Sequence, residues 1–129
     1  MTVLKEDPNA EKQRVREAEA CRNRIIERTR GKRPYYIILG DFNDDPDSAT
    51  YRRFDHRGDY QISKLLPARD SRGEVWTYFY DRKSIYSKVD WVLASPALTP
   101  FFESAHIVDI LKPNEGSDHR LVYADFILR

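Results

Sequence analysis

Tyr35-Tyr36-Ile37-Ile38-Leu39-Gly40-Asp41-Phe42-Asn43 drives an unbroken apolar run into a glycine, an acid and an amide. A run apolar at every position suits a central strand covered on both faces, so it predicts a buried strand over residues 35–39. An acid and an amide just past such a strand can orient a water and hold a phosphate oxygen. The chain closes on a second cluster of hydrolytic residue types, Gly116-Ser117-Asp118-His119, at the mouth of another strand. Open α/β proteins build active sites in this way, from residues far apart in sequence that meet at strand ends.

Upstream of the first run, Asp7-Pro8 is a helix-start signal, and the helix it opens runs to about residue 29. Val15, Ala18, Cys21, Ile25 and Ile26 recur at helical spacing and make its narrow apolar stripe, with Cys21 as a small core residue. The other face mixes arginines with glutamates at three- and four-residue offsets, the pattern of a solvated surface. Gly31 and Pro34 end the helix, and residues 1–6 are a loose end. Downstream, residues 41–48 form a polar loop, and Ser48 caps a short helix over residues 49–54. A short apolar element follows at 61–66. Strands are expected over 74–80 and 86–94, joined by a hairpin loop at 81–84. A turn or short helix from Ser95-Pro96 leads to an edge strand over 105–111 and a final strand over 120–128. This order predicts an α+β domain with one mostly antiparallel or mixed sheet of three to five strands and helices mainly on one face.

At 129 residues the chain has the length of one domain. Its 40% hydrophobic and 12% aromatic content argues against disorder, and a net charge of +1 gives no bulk attraction to nucleic acid. A single cysteine forms no internal disulfide, and no apolar run reaches the length of a membrane span. The expectation is a cytoplasmic globular domain without a membrane partner.

Asp90 stands within the apolar run Val89-Asp90-Trp91-Val92-Leu93. Burying a polar group without a partner costs roughly 2–7 kcal/mol, and a charge costs more, so Asp90 needs a partner. His119 is the natural one, because a carboxylate behind an imidazole fixes its tautomer and makes it a better base. His56 and His106 are expected to be ordinary loop and strand residues.

Gly40-Asp41-Phe42-Asn43, Ser87-Lys88-Val89-Asp90-Trp91-Val92-Leu93 and Gly116-Ser117-Asp118-His119, in that order, resemble the endonuclease/exonuclease/phosphatase superfamily of DNase I-like proteins. The resemblance covers residues 11–128. It implies that Asp41 orients or deprotonates the attacking water and that Asn43 holds a phosphate oxygen. Asp118 would lie near a divalent metal, and His119 would contact the phosphate with Asp90 bracing it. Trp76 and Tyr78 could line the substrate cleft. The implied cofactor is Mg²⁺, or Mn²⁺, and the implied substrate is a phosphoester in a nucleic acid or a small phosphorylated molecule.

The resemblance is to the C-terminal half of a four-layer α/β sandwich. The half that carries the metal-binding glutamate has no counterpart here, and Glu6, Glu11 and Glu17 lie in the tail or on the helix. A lone half would leave the inner face of its sheet open, a face expected to carry Val75, Thr77 and Phe79 or the alternate set, with Val92. A second copy of the chain, or a missing N-terminal half, would cover it. Two readings follow: a metal-dependent phosphoesterase completed by such a partner, or a non-catalytic half-domain that keeps the look of the site.

Overall fold

In a computed structural model of the chain, residues 8–80, 85–109 and 118–128 are described, with Tyr80 through its backbone alone. The Asp7 cap, the loose end at 1–6, the hairpin loop at 81–84 and the Gly116-Ser117 pair fall outside them.

Helix α1 spans Pro8–Thr29. It stops as expected, with the Lys32 N–H on the Thr29 carbonyl at 3.0 Å and Gly31 left-handed at φ +74°. Ala18 is its buried contact, while Cys21 is exposed, which corrects the expected core role. Helical spacing puts Cys21 on the stripe but does not say how much of the stripe is covered, and Ala18 is the residue of α1 that is buried. Helix α2 (Ala49–Asp55) begins at Ser48, whose hydroxyl accepts the Tyr51 N–H at 3.1 Å. Arg53 of α2 reaches Glu19 of α1 at 3.0 Å.

Strand β1 is Ile37–Asp41, followed by the short pieces β2 (His56–Arg57), β3 (Tyr60–Gln61), β4 (Lys64–Leu65) and β5 (Ala68–Arg69). Strands β6 (Tyr78–Tyr80) and β7 (Ile85–Ser87) pair with each other, and β8 is Asp90–Ala94. A 3-10 turn at Thr99–Phe101 leads into β9 (Phe102–Ile107), and β10 is Val122–Phe126. Among the described residues the strands form two three-stranded sheets, β1-β8-β4 and β10-β9-β5, and two hairpin pairs, β2-β3 and β6-β7, and of these pairings only β5 with β9 is parallel.

Several expected strands change shape. The run over 86–94 is two strands, because Lys88 and Val89 leave the ladder between β7 and β8. Of residues 74–80 only the last part is a strand, and β9 is the middle strand of its sheet rather than an edge.

Trp91 and Leu93 of β8 turn one face of their sheet toward Ala18 of α1 and Phe54 of α2, with Ile38 and Phe42 at the margin. Trp91 is 1% exposed, stacks on Phe42 at 4.5 Å and donates its indole N–H to the Lys88 carbonyl at 2.8 Å. A second core joins Ala94 of β8 to Leu66, Ala68, Leu98, Ala105 and Ile107.

The apolar run that suggested a doubly covered strand is covered on one side only. β1 is an edge strand, with Ile37 43% and Leu39 69% exposed. Val75, Thr77 and Phe79 are not the open face. Thr77 is buried, and among the described residues the exposed large apolar side chains are Tyr35, Ile37 and Leu39 in and before β1, Leu121, Tyr123, Ile127 and Leu128 on and around β10, and Tyr60 and Tyr86 elsewhere. Periodicity reports how apolar a strand is on each face but not what lies over it, which explains the difference.

Candidate active site

Asp41 is the last residue of β1 and Asp90 the first of β8, and the antiparallel register sets them directly opposite each other. Like charges facing each other across two strands are destabilising unless a proton donor lies between them. His119 occupies that position. Its Nδ1 is 2.8 Å from Asp90 Oδ2 and its Nε2 is 3.6 Å from Asp41 Oδ2. The short contact is a charge-assisted hydrogen bond that fixes the ring, with the proton assigned to Nδ1. The longer one exceeds a direct hydrogen bond and leaves room for a water or a phosphate oxygen between the groups. Side-chain exposures of 34% for His119 and 39% for Asp41 leave that gap open to solvent.

The backbone holds each group in place. Tyr78 and His119 form an isolated antiparallel bridge, and their rings lie 4.7 Å apart at 34°. Asn43 has φ +53°, a left-handed position that a short polar residue tolerates. Its N–H donates to Asp41 Oδ1 at 2.9 Å, so one carboxylate oxygen is tied down and the other faces His119. Asp44 and Asp45 are buried in the same loop. Asp44 accepts Arg14 Nε of α1 at 3.3 Å and the Asp45 N–H at 3.1 Å, which anchors the loop to the helix.

A second layer lies behind the imidazole. The Arg120 guanidinium donates to Asp70 Oδ2 at 2.7 Å and lies 3.8 Å over the Trp76 ring. Burial pushes the Asp70 carboxyl up, but bonds from Arg120 and from the Glu74 and Arg72 N–H groups outweigh it and hold its pKa at about 2. Burial, reinforced by the charge on Arg69, pushes the Lys88 ammonium down.

Of the residues singled out in the sequence, Asp41, Asn43, Asp90, His119 and Tyr78 converge. Asp118 is exposed and outside the group formed by Asp41, Asp90 and His119, although its carbonyl accepts the Phe79 N–H at 3.4 Å. Trp76 serves as the platform under Arg120 and meets Tyr86 at 4.8 Å. His56 bonds its neighbour Asp55 and His106 bonds Ser104. Asp70 and Arg120 carried no sequence signal, and Thr77 was expected on an open face, because each acts through contacts with segments distant in the chain.

Asp41, Asp90 and His119 each offer a ligand atom within 4.8 Å of the others. Hard divalent cations take oxygen donors, and Mg²⁺ commonly uses one or two carboxylates and keeps its waters. His119 Nδ1 and Asp90 Oδ2 are committed to each other and Asp41 Oδ1 to the Asn43 N–H, which leaves the other oxygen of each carboxylate for such an ion.

Residues 5–119 match the model of the Endonuclease/Exonuclease/phosphatase family, and the chain belongs to that family. Similar solved structures include an endonuclease/exonuclease/phosphatase from Bacteroides vulgatus, at 20% identity and TM-score 0.70 over 92% of this chain and 45% of that one. A mannosyl-6-phosphatase from Bacteroides thetaiotaomicron is 22% identical at TM-score 0.65, over 91% of this chain and 46% of that one. An endonuclease/exonuclease/phosphatase family protein from the same species is 22% identical at TM-score 0.60, over 88% and 43%. The chain therefore spans under half the length of these structures, whose likeness shows the fold. No curated protein matches it.

Proposed function

We propose that this member of the family hydrolyses phosphoesters with a divalent metal, Mg²⁺ or Mn²⁺, in an assembly with a second copy of itself. The observation that carries the reading is the Asp41···His119···Asp90 line, locked at its Asp90 end and open at its Asp41 end. Asp41 Oδ2 takes a proton from the attacking water as the new P–O bond forms and the bond to the leaving oxygen breaks. His119 Nε2 and the Asn43 side chain bind phosphoryl oxygens, and Tyr78 bounds the imidazole on one side. A metal held at this cluster through the Asp90 oxygen not bonded to His119 would supply Lewis-acid polarisation of the phosphoryl group.

Support for the second copy comes from the open face. Tyr35, Ile37, Leu98, Phe126 and Leu128 line a hollow of about 330 Å³ between β1 and β10. Covering apolar area is worth ~25 cal/mol per Å², so this face drives association.

A small phosphomonoester is the favoured substrate class, since one of the similar structures is a mannosyl-6-phosphatase. The test is turnover with Mg²⁺ or Mn²⁺ of a sugar phosphate, a generic phosphodiester and plasmid DNA, alongside sedimentation. Monoester turnover by a dimer supports the proposal, and preferential cleavage of DNA would overturn the substrate class. A second reading, a non-catalytic half-domain, draws on the presence of only two carboxylates and an already bonded imidazole in the cluster. Correctly folded protein with no turnover at high concentration would favour it.

A further inference from the structure

We infer that Thr77 is a positioning residue for the Asp90–His119 pair, a role that rests on the site reading above and extends it to a residue the chemistry does not touch. Thr77 is 1% exposed and lies outside regular structure, just before β6. Its hydroxyl oxygen accepts the N–H groups of both Val89 and Asp90, each at 3.1 Å. Those two amides fall where the chain leaves β7 and enters β8, and the hydroxyl supplies the acceptor there. A hydroxyl oxygen has two acceptor lone pairs, and both are taken.

The backbone of the same residue bonds on both sides. Its carbonyl accepts the Arg120 N–H at 2.7 Å, and its own N–H donates to the Ser87 carbonyl at 2.9 Å. Arg120 follows His119 directly. Thr77 therefore joins the backbone that presents Asp90 to the backbone that presents His119, and the side-chain bond between them closes at 2.8 Å. Val89 extends the connection, because its carbonyl accepts the Phe42 N–H at 2.8 Å, next to Asp41. One buried residue thus relates all three members of the site.

Thr77→Val keeps the shape and removes the acceptor, whereas Thr77→Ser keeps the acceptor. In the full chain, imidazole ¹⁵N spectra report the state of His119 Nδ1, and amide exchange reports the Val89 and Asp90 bonds. Thr77→Val is expected to speed exchange at those two amides by roughly tenfold or more beyond the global change, and to shift the His119 Nδ1 resonance as its bond to Asp90 loosens. Thr77→Ser should restore both. Ile107→Ala, in the other core, supplies a destabilised control whose His119 spectrum should not change. An unchanged His119 spectrum in Thr77→Val, or the same change in Ile107→Ala, would overturn the inference. If the wild-type chain turns over phosphoesters, Thr77→Val should lower kcat by roughly tenfold with KM within about twofold. If the wild type shows no turnover, the functional reading fails while the spectra still decide the role of Thr77.

Discussion

Replacing His119 with alanine asks whether the imidazole is what lets Asp41 and Asp90 face each other at the mouth of β1 and β8. The Asp90 contact is a hydrogen bond to a charged group, worth about 1.5–3 kcal/mol when well shielded. With Asp90 20% and His119 34% exposed, solvent screening reduces it to about 1 kcal/mol. Removing the ring also leaves two carboxylates opposed in register, a further cost of about 0.5 kcal/mol. His119→Ala should therefore destabilise the chain by about 1.5 kcal/mol in urea unfolding at low salt. The sharper outcome lies in the cycle with Asp41→Asn. In the wild-type background, with the imidazole protonated, this substitution loses the attraction to His119 and destabilises by about 0.5 kcal/mol. In the His119→Ala background it relieves the opposed carboxylates and stabilises by about the same amount. The Asn43 N–H keeps an acceptor in either case, because the amide oxygen replaces Asp41 Oδ1. If Asp41→Asn had the same sign and size in both backgrounds, His119 would not be mediating between the two acids.

Leu39→Glu places a charge on the open apolar face and should shift sedimentation from dimer to monomer, with the unfolding free energy of the monomer changed by less than about 0.5 kcal/mol. A wild-type chain that is already monomeric at micromolar concentration would contradict the self-association. Because the Asp70 carboxyl is depressed from 3.8 to about 2, its contribution is fully present above about pH 4 and is lost as pH falls through 2. Urea midpoints should fall across that window in the wild type and fall less steeply in Asp70→Asn, which starts lower at neutral pH. Trp91→Ala removes the centre of the core over α1 and α2 and should cost about 3–5 kcal/mol, with Trp91→Phe milder, as read from urea unfolding.

Much of this arrangement was legible in the chain because it depends on local rules. Helix α1, its glycine stop and the Ser48 cap follow from side chains acting within a few residues of themselves. The pairing of Asp90 with His119 was legible for a different reason: an acid amid apolar neighbours demands a partner, and few candidates existed. Ile37 and Leu39 misled because an apolar residue carries no mark of whether its cover belongs to the same chain. Cys21 misled in the same way, since helical spacing placed it on the stripe without saying what covers it. Thr77 was invisible as a junction, because its partners Val89, Asp90 and Arg120 are distant in sequence and two of its bonds run through the backbone. Trp76 was legible as an aromatic in a β-rich run, yet its role as the platform for Arg120 exists only once the chain has closed.

The most direct measurement is phosphomonoester hydrolysis in Mg²⁺ or Mn²⁺ by the wild-type chain, with and without EDTA, and by Asp41→Asn and His119→Ala at matched folded concentration. The expected result is turnover that EDTA abolishes and that either substitution lowers by roughly a hundredfold or more. Full turnover in EDTA, or undiminished turnover in both variants, would contradict the assignment of the Asp41–His119–Asp90 line as the reacting centre.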